Sequence, residues 1–264
     1  MLSSPLRRAV GSPPVKRLLQ RVYDSYFAGV SGDVRLFSGI YPDFAAAQAA
    51  APGGRPLGYD NPASAMRLAE ERHHIFDCDY PMLYWAERLF PQIRRVFDLG
   101  GNVGISYYAW RRYLSYPEGL DWLVCDVPAV VAAGERIARG EAAPGLRFTT
   151  ETTELAGTDL LISAGVLQFL GHPFALFDQA GALPRHVLLN KTPLYEREDA
   201  ATLQTMGTAF NPYHLFNRAG FFARFVQLGY RLVDTWTNPG MGARIPFHSA
   251  YDVPAFSGCY LVRD

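Results

Sequence analysis

Apolar residues recur at helical spacing from residue 15 to residue 27. Val15, Leu18, Leu19, Val22, Tyr26 and Phe27 share one face, and Lys16, Arg17 and Arg21 lie largely off it. The pattern predicts an amphipathic helix that either rests on a domain as a lid or touches a membrane surface. Residues 45–64 begin rich in alanine and pass into Pro, Gly, Asp and Asn, which predicts a helix ending in an irregular loop. At 79–91 a further helix is bracketed by Asp79 as cap, Pro81 in the first turn and Pro91 as the stop. The period then changes. Short apolar runs at 95–99, 122–126, 146–149, 159–163 and 186–190 are separated mostly by segments of helical spacing. Repeated strand–helix units of this kind build a parallel sheet with helices on both faces. After a loop over 193–216, a helix from Asn217 stops at Gly229, a strand follows, and the chain closes on "GCYLVRD", a strand with no helix before it. Two final strands joined by a loop predict an antiparallel edge. The expected organisation is α/β, with a helical lid or extension over 1–92 and a sheet domain over 93–264.

Composition narrows the partners. The 264 residues, 49% hydrophobic, can bury the core of one domain with an appendage. Lys plus Arg equal Asp plus Glu at 25 each, so no broad positive field exists to draw the protein onto phosphate backbones, and nucleic acid is not expected. Cys78, Cys125 and Cys259 are far apart and form no CxxC pair, which fits a reducing, cytoplasmic setting. Charges and prolines interrupt the first residues where a signal peptide needs an apolar core, and no apolar run is long enough to cross a bilayer. His73 and His74 are adjacent; on a helix they would point about 100° apart, and with no acid cluster beside them no metal site is expected.

The candidate chemistry begins at "RRVFDLGGNVGISYYAW", a strand, a glycine turn and a helical segment. The dinucleotide fingerprint needs glycine at the first, third and sixth turn positions; counted from Gly100, the chain has Asn102 and Ile105 at the last two. Counted from the acid, Asp98, Gly100, Asn102 and Gly104, with Gly101 between them, fit acid-x-Gly-x-Gly-x-Gly with asparagine for the middle glycine. Asparagine is the residue best able to replace glycine in a left-handed conformation. The next strand ends in Cys125-Asp126-Val127-Pro128; an acid there binds ribose hydroxyls in nucleotide-binding sheets, or caps the helix that Pro128 opens. The third strand runs into Thr149, Thr150 and Glu151, a place for an adenine edge or a solvated acid, and the fourth into Ser163, Ala164 and Gly165, small enough to border a cofactor crevice.

From Phe97 onward the chain resembles class I S-adenosylmethionine-dependent methyltransferases, in "DLGGNVG" and "CDVPAVV". More narrowly, "FSGIYPDFAAAQ", "GYDN", "VLQFLGHP", "NKTPL" and "NPYHLFNRAGF" resemble, over nearly the whole length, a bacterial family known as methyltransferases of unassigned substrate, often encoded near surface-polysaccharide or secondary-metabolite genes. The resemblance implies a Rossmann-like sheet of seven strands with the last antiparallel, S-adenosylmethionine as cofactor, S-adenosylhomocysteine as product, and methylation of a small molecule or sugar, most readily on oxygen. Two rivals stay open: a nicotinamide-dependent oxidoreductase, and a non-catalytic binding subunit that keeps the fold.

Methyl transfer from a sulfonium needs alignment and exclusion of water, and a base only when the nucleophile must lose a proton. In oxygen methyltransferases with a motif like "VLQFL", a histidine commonly stands where this chain has Gln168, and glutamine cannot take the proton. His214 is the first choice for the base and His172 the second, with Lys191, Tyr195 and His248 more remote. Gln168, Tyr195 and Tyr213 are the expected acceptor contacts. The run Tyr107, Tyr108, Trp110 and Tyr113 is expected to be core and crevice wall rather than a platform for bases.

Overall fold

A computed structural model describes residues 13–32, 34–66 and 69–264; residues 1–12 of the expected lid lie outside them. The amino-terminal part comprises α1 (Pro13–Gly29), β1 (Leu36–Tyr41), α2 (Phe44–Ala49), α3 (Pro62–Met66) and α4 (Tyr80–Leu89). Then follow β2 (Arg95–Leu99), α5 (Ile105–Trp110), β3 (Asp121–Cys125), α6 (Pro128–Gly140), β4 (Leu146–Thr149), β5 (Leu160–Ala164), α7 (Ala175–Gln179) and β6 (His186–Thr192). The chain ends through β7 (Leu194–Tyr195), β8 (Ala200–Thr205), β9 (Phe210–Asn217), α8 (Arg218–Gln227), β10 (Tyr230–Asn238) and β11 (Phe256–Arg263).

The short apolar runs form the parallel part of a seven-stranded sheet in the order β10-β11-β6-β5-β2-β3-β4. Strand β11 inserts between β6 and β10 and is antiparallel to both, so the expected antiparallel edge is present. These runs are continuous because parallel strands are covered on both faces: Val96, Phe97, Asp98 and Leu99 are all buried. On one face Met82, Leu83 and Ala86 of α4 and Tyr107, Tyr108 and Trp110 of α5 pack on Val96, Trp122, Val124, Ile162 and Leu188. On the other, Leu176 and Phe177 of α7 and Phe221 and Phe225 of α8 pack on Phe97, Leu161, Val187 and Leu261. Trp122 is the hub of the first layer, with the rings of Phe90, Tyr107, Trp110 and Tyr116 around it at 5.6 to 6.1 Å. The aromatic run after the glycine turn is therefore core, apart from exposed Tyr113.

The stretch expected to be a loop over 193–216 instead supplies three strands of a second sheet, in the order β1-β8-β9-β7. Its signal was hidden because all six residues of β8 are buried although half of them are Thr or Gln, so neither alternation nor an apolar run marks the strand. Pro212, a residue that argues against a central strand, is tolerated in β9 because β8 lies on one side and β7 reaches only Phe216 and Asn217 on the other.

Helix α1 docks by one margin of its apolar face, at Phe27, and not by the centre of that face. Leu18, Val22 and Tyr26 are exposed at 60, 61 and 55%, whereas Phe27 is buried against Phe210 with ring centroids 5.5 Å apart. The carboxyl end of the helix decides this. Arg55 donates to the carbonyls of Phe27, Ala28 and Val30 at 3.3, 2.5 and 2.7 Å, to that of Gly207 at 3.2 Å, and lies 4.1 Å over the Phe210 ring. One guanidinium thus satisfies the carbonyls that a helix end leaves unpaired, and the stripe of Leu18, Val22 and Tyr26 is left with its centre turned more than about a third of a circle away from Phe27. Among the described residues no helix is long and apolar enough to cross a membrane.

Candidate cofactor and acceptor site

The parallel strands end together. Leu99 is paired with Cys125 and with Ser163, Cys125 with Thr149, and Ala164 with Asn190. The residues that follow, Gly100, Asp126, Thr150, Gly165 and Lys191, therefore line one edge of the sheet. At the point between β2 and β5 the chain direction of winding reverses, and ligands of open α/β sheets gather at the carboxyl ends of strands there.

The glycine turn is built for close approach. Gly100, Asn102 and Gly104 have φ of 67, 54 and 90°, so Asn102 takes the left-handed conformation expected of an asparagine in that place. A Cβ on Gly100 would lie 2.1 Å from a methyl of Val166, and one on Gly101 would lie 2.5 Å from the Asp98 carboxyl. The turn is pinned from below by the Gly100 N–H donating to the Cys125 carbonyl at 2.7 Å. Asp98 is buried beneath it and accepts the Trp122 indole N–H at 3.1 Å. Burial pushes the Asp98 carboxyl up to about 7; the indole hydrogen bond opposes this and Asp126 adds to it.

Asp126 is half-buried at the end of β3 and ties two elements together. One oxygen accepts the Asn102 N–H at 3.0 Å and the other the Val127 N–H at 2.8 Å. Burial raises it to about 6, against the pull of those two hydrogen bonds and with a smaller push from Asp60. Pro128 opens α6 as expected, but the side chain that caps it is Asp60, which accepts the Ala129 N–H at 3.0 Å. The cap reading of Asp126 is thus displaced by a residue from the amino-terminal segment, and Asp126 keeps lone pairs for other donors. Glu151 is exposed beside Thr150, whose hydroxyl donates to it at 3.2 Å.

No protein-family model matches the chain, and no curated protein matches it in sequence. Among solved structures, one provisionally described as an S-adenosylmethionine-dependent methyltransferase from Listeria monocytogenes matches with a TM-score of 0.50 at 11% identity, over 70% of this chain and 98% of that one. The fold is that of a class I methyltransferase. The methyltransferase CcbJ from Streptomyces caelestis matches at 0.49 and 12% identity, over 75% of this chain and 96% of its own. The amino-terminal domain of EvdMO1, solved with S-adenosylhomocysteine and D-fucose, matches at 0.48 and 15% identity, over 71% and 83%.

Within this class I methyltransferase fold the expected site residues fall into two groups. The turn, Asp126, Val127, Glu151, Ala164 and Gly165 share the carboxyl edge of the sheet; Ser163 lies just inside it, its hydroxyl buried with no hydrogen-bond partner among the described residues. Gln168, Tyr213 and His214 belong to a second neighbourhood between the loop after β5 and the second sheet. Gln168 is buried and donates to the Lys191 carbonyl at 3.3 Å. The Tyr213 ring is enclosed by Phe37 and Phe169 at 5.2 and 5.1 Å, and burial holds its hydroxyl far above the usual range. Tyr195 is buried in β7 and gives its hydroxyl proton to the Glu198 carbonyl at 2.5 Å. The His214 ring is stacked between Phe44 and Phe216 at 4.9 and 5.3 Å; burial lowers its proton affinity, and hydrogen bonding to the Gly171 and Leu170 backbone works against that. His172 is exposed.

Sequence reasoning missed two site features. Asp60 stands in "GYDNP", which reads as a plain turn, and nothing local links it to α6. Asp79 was read as the cap of the helix now seen as α4, but its side chain makes no cap bond there. Its Oδ1 is 3.0 Å from the Lys191 Nζ instead. That pairing spans 112 residues and has no sequence signal.

Proposed function

We propose that the protein is an S-adenosylmethionine-dependent methyltransferase that methylates a small molecule or sugar, on oxygen. The observation that carries the reading is the left-handed turn at Asn102, tied through its N–H to the half-buried carboxylate of Asp126 at the reversal point of the sheet. Each Asp126 oxygen uses one backbone donor, and a carboxylate has about four acceptor sites, so capacity remains for two ribose hydroxyls. In this reading Asp98, Gly100, Gly101, Asn102 and Gly104 face the methionine part, Asp126 and Val127 the ribose, Glu151 the adenine, and Ser163, Ala164 and Gly165 the sulfur. The cofactor, when bound, supplies a methyl group on a sulfonium. The residues of the chain align the acceptor and exclude water. Calorimetric titration with S-adenosylmethionine, S-adenosylhomocysteine and NAD tests it: binding of the first two alone supports the reading, and binding of NAD alone transfers the site to the oxidoreductase rival.

The amino-terminal segment is proposed as a lid on the acceptor side, in a cytoplasmic enzyme. It reaches the loop after β5 through Tyr59, whose ring is 5.2 Å from Phe169, and it is latched by Arg55. Arg55→Ala should leave several helix-end carbonyls without a donor and cost about 2 to 3 kcal/mol of stability, as hydrogen bonds to charged groups do. Turnover of acceptor should fall more than cofactor affinity. An unchanged melting temperature and rate would remove both the latch and the lid.

For the base, sequence names His214 first and His172 second. If His214 takes the proton, His214→Ala lowers turnover by about 10²-fold with S-adenosylmethionine affinity nearly unchanged; a loss below about threefold assigns the ring, sandwiched between Phe44 and Phe216, to packing alone and leaves the proton to another group.

A further inference from the structure

Beyond the turn, the same edge of the sheet carries the ion pair of Asp79 and Lys191. Lys191 lies just past the part of β6 that pairs with β5, at the irregularity between Leu189 and Thr192 in the pairing with β11, and has φ of 55°, a left-handed conformation uncommon for a lysine. Its Nζ lies 3.0 Å from Asp79 Oδ1, and the two side chains are 22 and 16% exposed, so the pair is sheltered yet reachable. The pair is held from several sides. The Asp79 carboxylate also accepts the Phe76 N–H at 3.2 Å. The Lys191 ammonium lies 5.7 Å over the Phe76 ring, and Asn190 anchors the neighbouring segment by donating to the Cys78 carbonyl at 2.7 Å.

This pair is next to the place proposed for the methyl donor. Val166 packs on Gly100 of the turn, and a Cβ on the adjoining Gly165 would meet the Lys191 Cβ at 3.4 Å. A group bound over Ala164 and Gly165 would therefore have the turn on one side and Lys191 with Asp79 on the other.

We propose that Asp79 and Lys191 form the subsite that receives the acceptor hydroxyl. This rests on the methyltransferase reading and names the substrate class within it. A hydroxyl has one proton to give and two lone pairs. Asp79 retains acceptor sites for the proton, Lys191 retains donors for one lone pair, and the second lone pair is left free to attack. A carboxylate or phosphate acceptor would have no proton to offer Asp79 and would meet its negative charge, so the pair, neutral as a whole, selects for hydroxyl over anion. In the transfer the hydroxyl oxygen forms a bond to the methyl carbon, the sulfur–methyl bond breaks with its electron pair staying on sulfur, and the hydroxyl proton passes to Asp79. Atoms and charge balance without a further reactant.

The test uses the full chain and its Asp79→Asn, Lys191→Met and Lys191→Arg variants. S-adenosylhomocysteine affinity is measured by calorimetry, and S-adenosylhomocysteine release from S-adenosylmethionine is followed with D-glucose, L-rhamnose, catechol, benzoate and benzylamine. The expected result is turnover of a hydroxyl-bearing member only, lowered about 10²-fold in kcat by Asp79→Asn and by Lys191→Met and less by Lys191→Arg, with product affinity within about threefold of the parent in all. The conservative arginine keeps a donor, so partial retention separates hydroxyl binding from a merely structural pair. Turnover confined to benzoate or benzylamine, rates unaffected in Asp79→Asn and Lys191→Met, or no turnover of any hydroxyl compound by a protein that binds the product, would each overturn the assignment. Failure to bind S-adenosylhomocysteine at all would instead bring down the methyltransferase reading. His214→Ala in the same assay decides between two proton acceptors, since its ring lies on a separate strand and touches neither member of the pair.

Discussion

Gly100→Val is expected to remove S-adenosylhomocysteine binding from the calorimetric range while the chain still folds. Two costs coincide at this position. The φ of 67° belongs to a region that β-branched residues almost never adopt, and the new Cβ would sit 2.1 Å from Val166 Cγ2 and 2.9 Å from Val166 Cβ. Val166 is itself branched and packed on the second core layer, so it cannot rotate clear as a long side chain would. Strain and overpacking each cost about 1 to 3 kcal/mol. If about 3 kcal/mol of that appears as displacement of the turn, affinity falls about 150-fold. The companion Asn102→Gly separates conformation from chemistry: with φ of 54° there, glycine is as comfortable as asparagine, and binding should stay within about threefold. A Gly100→Val protein with cooperative melting and parental affinity would show that the turn does not approach the cofactor.

The second large effect is at Asp126. Asp126→Ala should weaken S-adenosylhomocysteine by about 1 to 3 kcal/mol, the usual loss when hydrogen bonds to a charged group are removed. It should also release the Asn102 and Val127 N–H groups that the carboxylate now holds. The pH dependence gives an independent readout. Burial raises Asp126 to about 6 and Asp98 to about 7 from ordinary values near 3.8, so between about pH 4 and 7 the folded chain binds more protons than the unfolded one. The contribution of these two groups to stability therefore grows as pH falls through that window and is lost as pH rises through it. Ligand binding should run the other way, because a protonated Asp126 has lost acceptor capacity. Asp98 titrates in the same window, and His186, His214 and His248, whose proton affinity burial lowers, act in the opposite sense, so the readout is the difference from Asp126→Ala. On going from pH 8 to pH 5 the parent should gain melting temperature without ligand, and lose product affinity, relative to the variant. A difference in affinity that is level across this range would take Asp126 out of the ribose site.

Much of the sheet domain was legible in the linear pattern, for a physical reason. A parallel strand covered on both faces must be a short apolar run, and helices must fill the gaps, so Arg95–Leu99 and Leu146–Thr149 could be placed to the residue and the others to within one or two at their ends. The glycine turn was equally local: the left-handed demand at Gly100, Asn102 and Gly104 is written in residue type, because few side chains tolerate it. The terminal antiparallel pair could be read from the missing helix before "GCYLVRD".

What only the tertiary structure decided is whatever depends on partners distant in sequence. The four-stranded sheet pairs Leu36 with Thr205 and His214 with Ala201, and with both faces of β8 buried its Thr and Gln residues carry no strand signature. The face on which α1 docks was set by Arg55 and Phe210, not by the leucine stripe that dominates its own periodicity. Asp79 looked like a helix cap because an acid before a proline usually is one; a salt bridge to Lys191 across 112 residues claimed it instead. Local patterning records the burial and backbone demands of each residue, whereas the pairing of side chains across the sheet edge is fixed by which strands lie side by side, and that is a property of the fold as a whole.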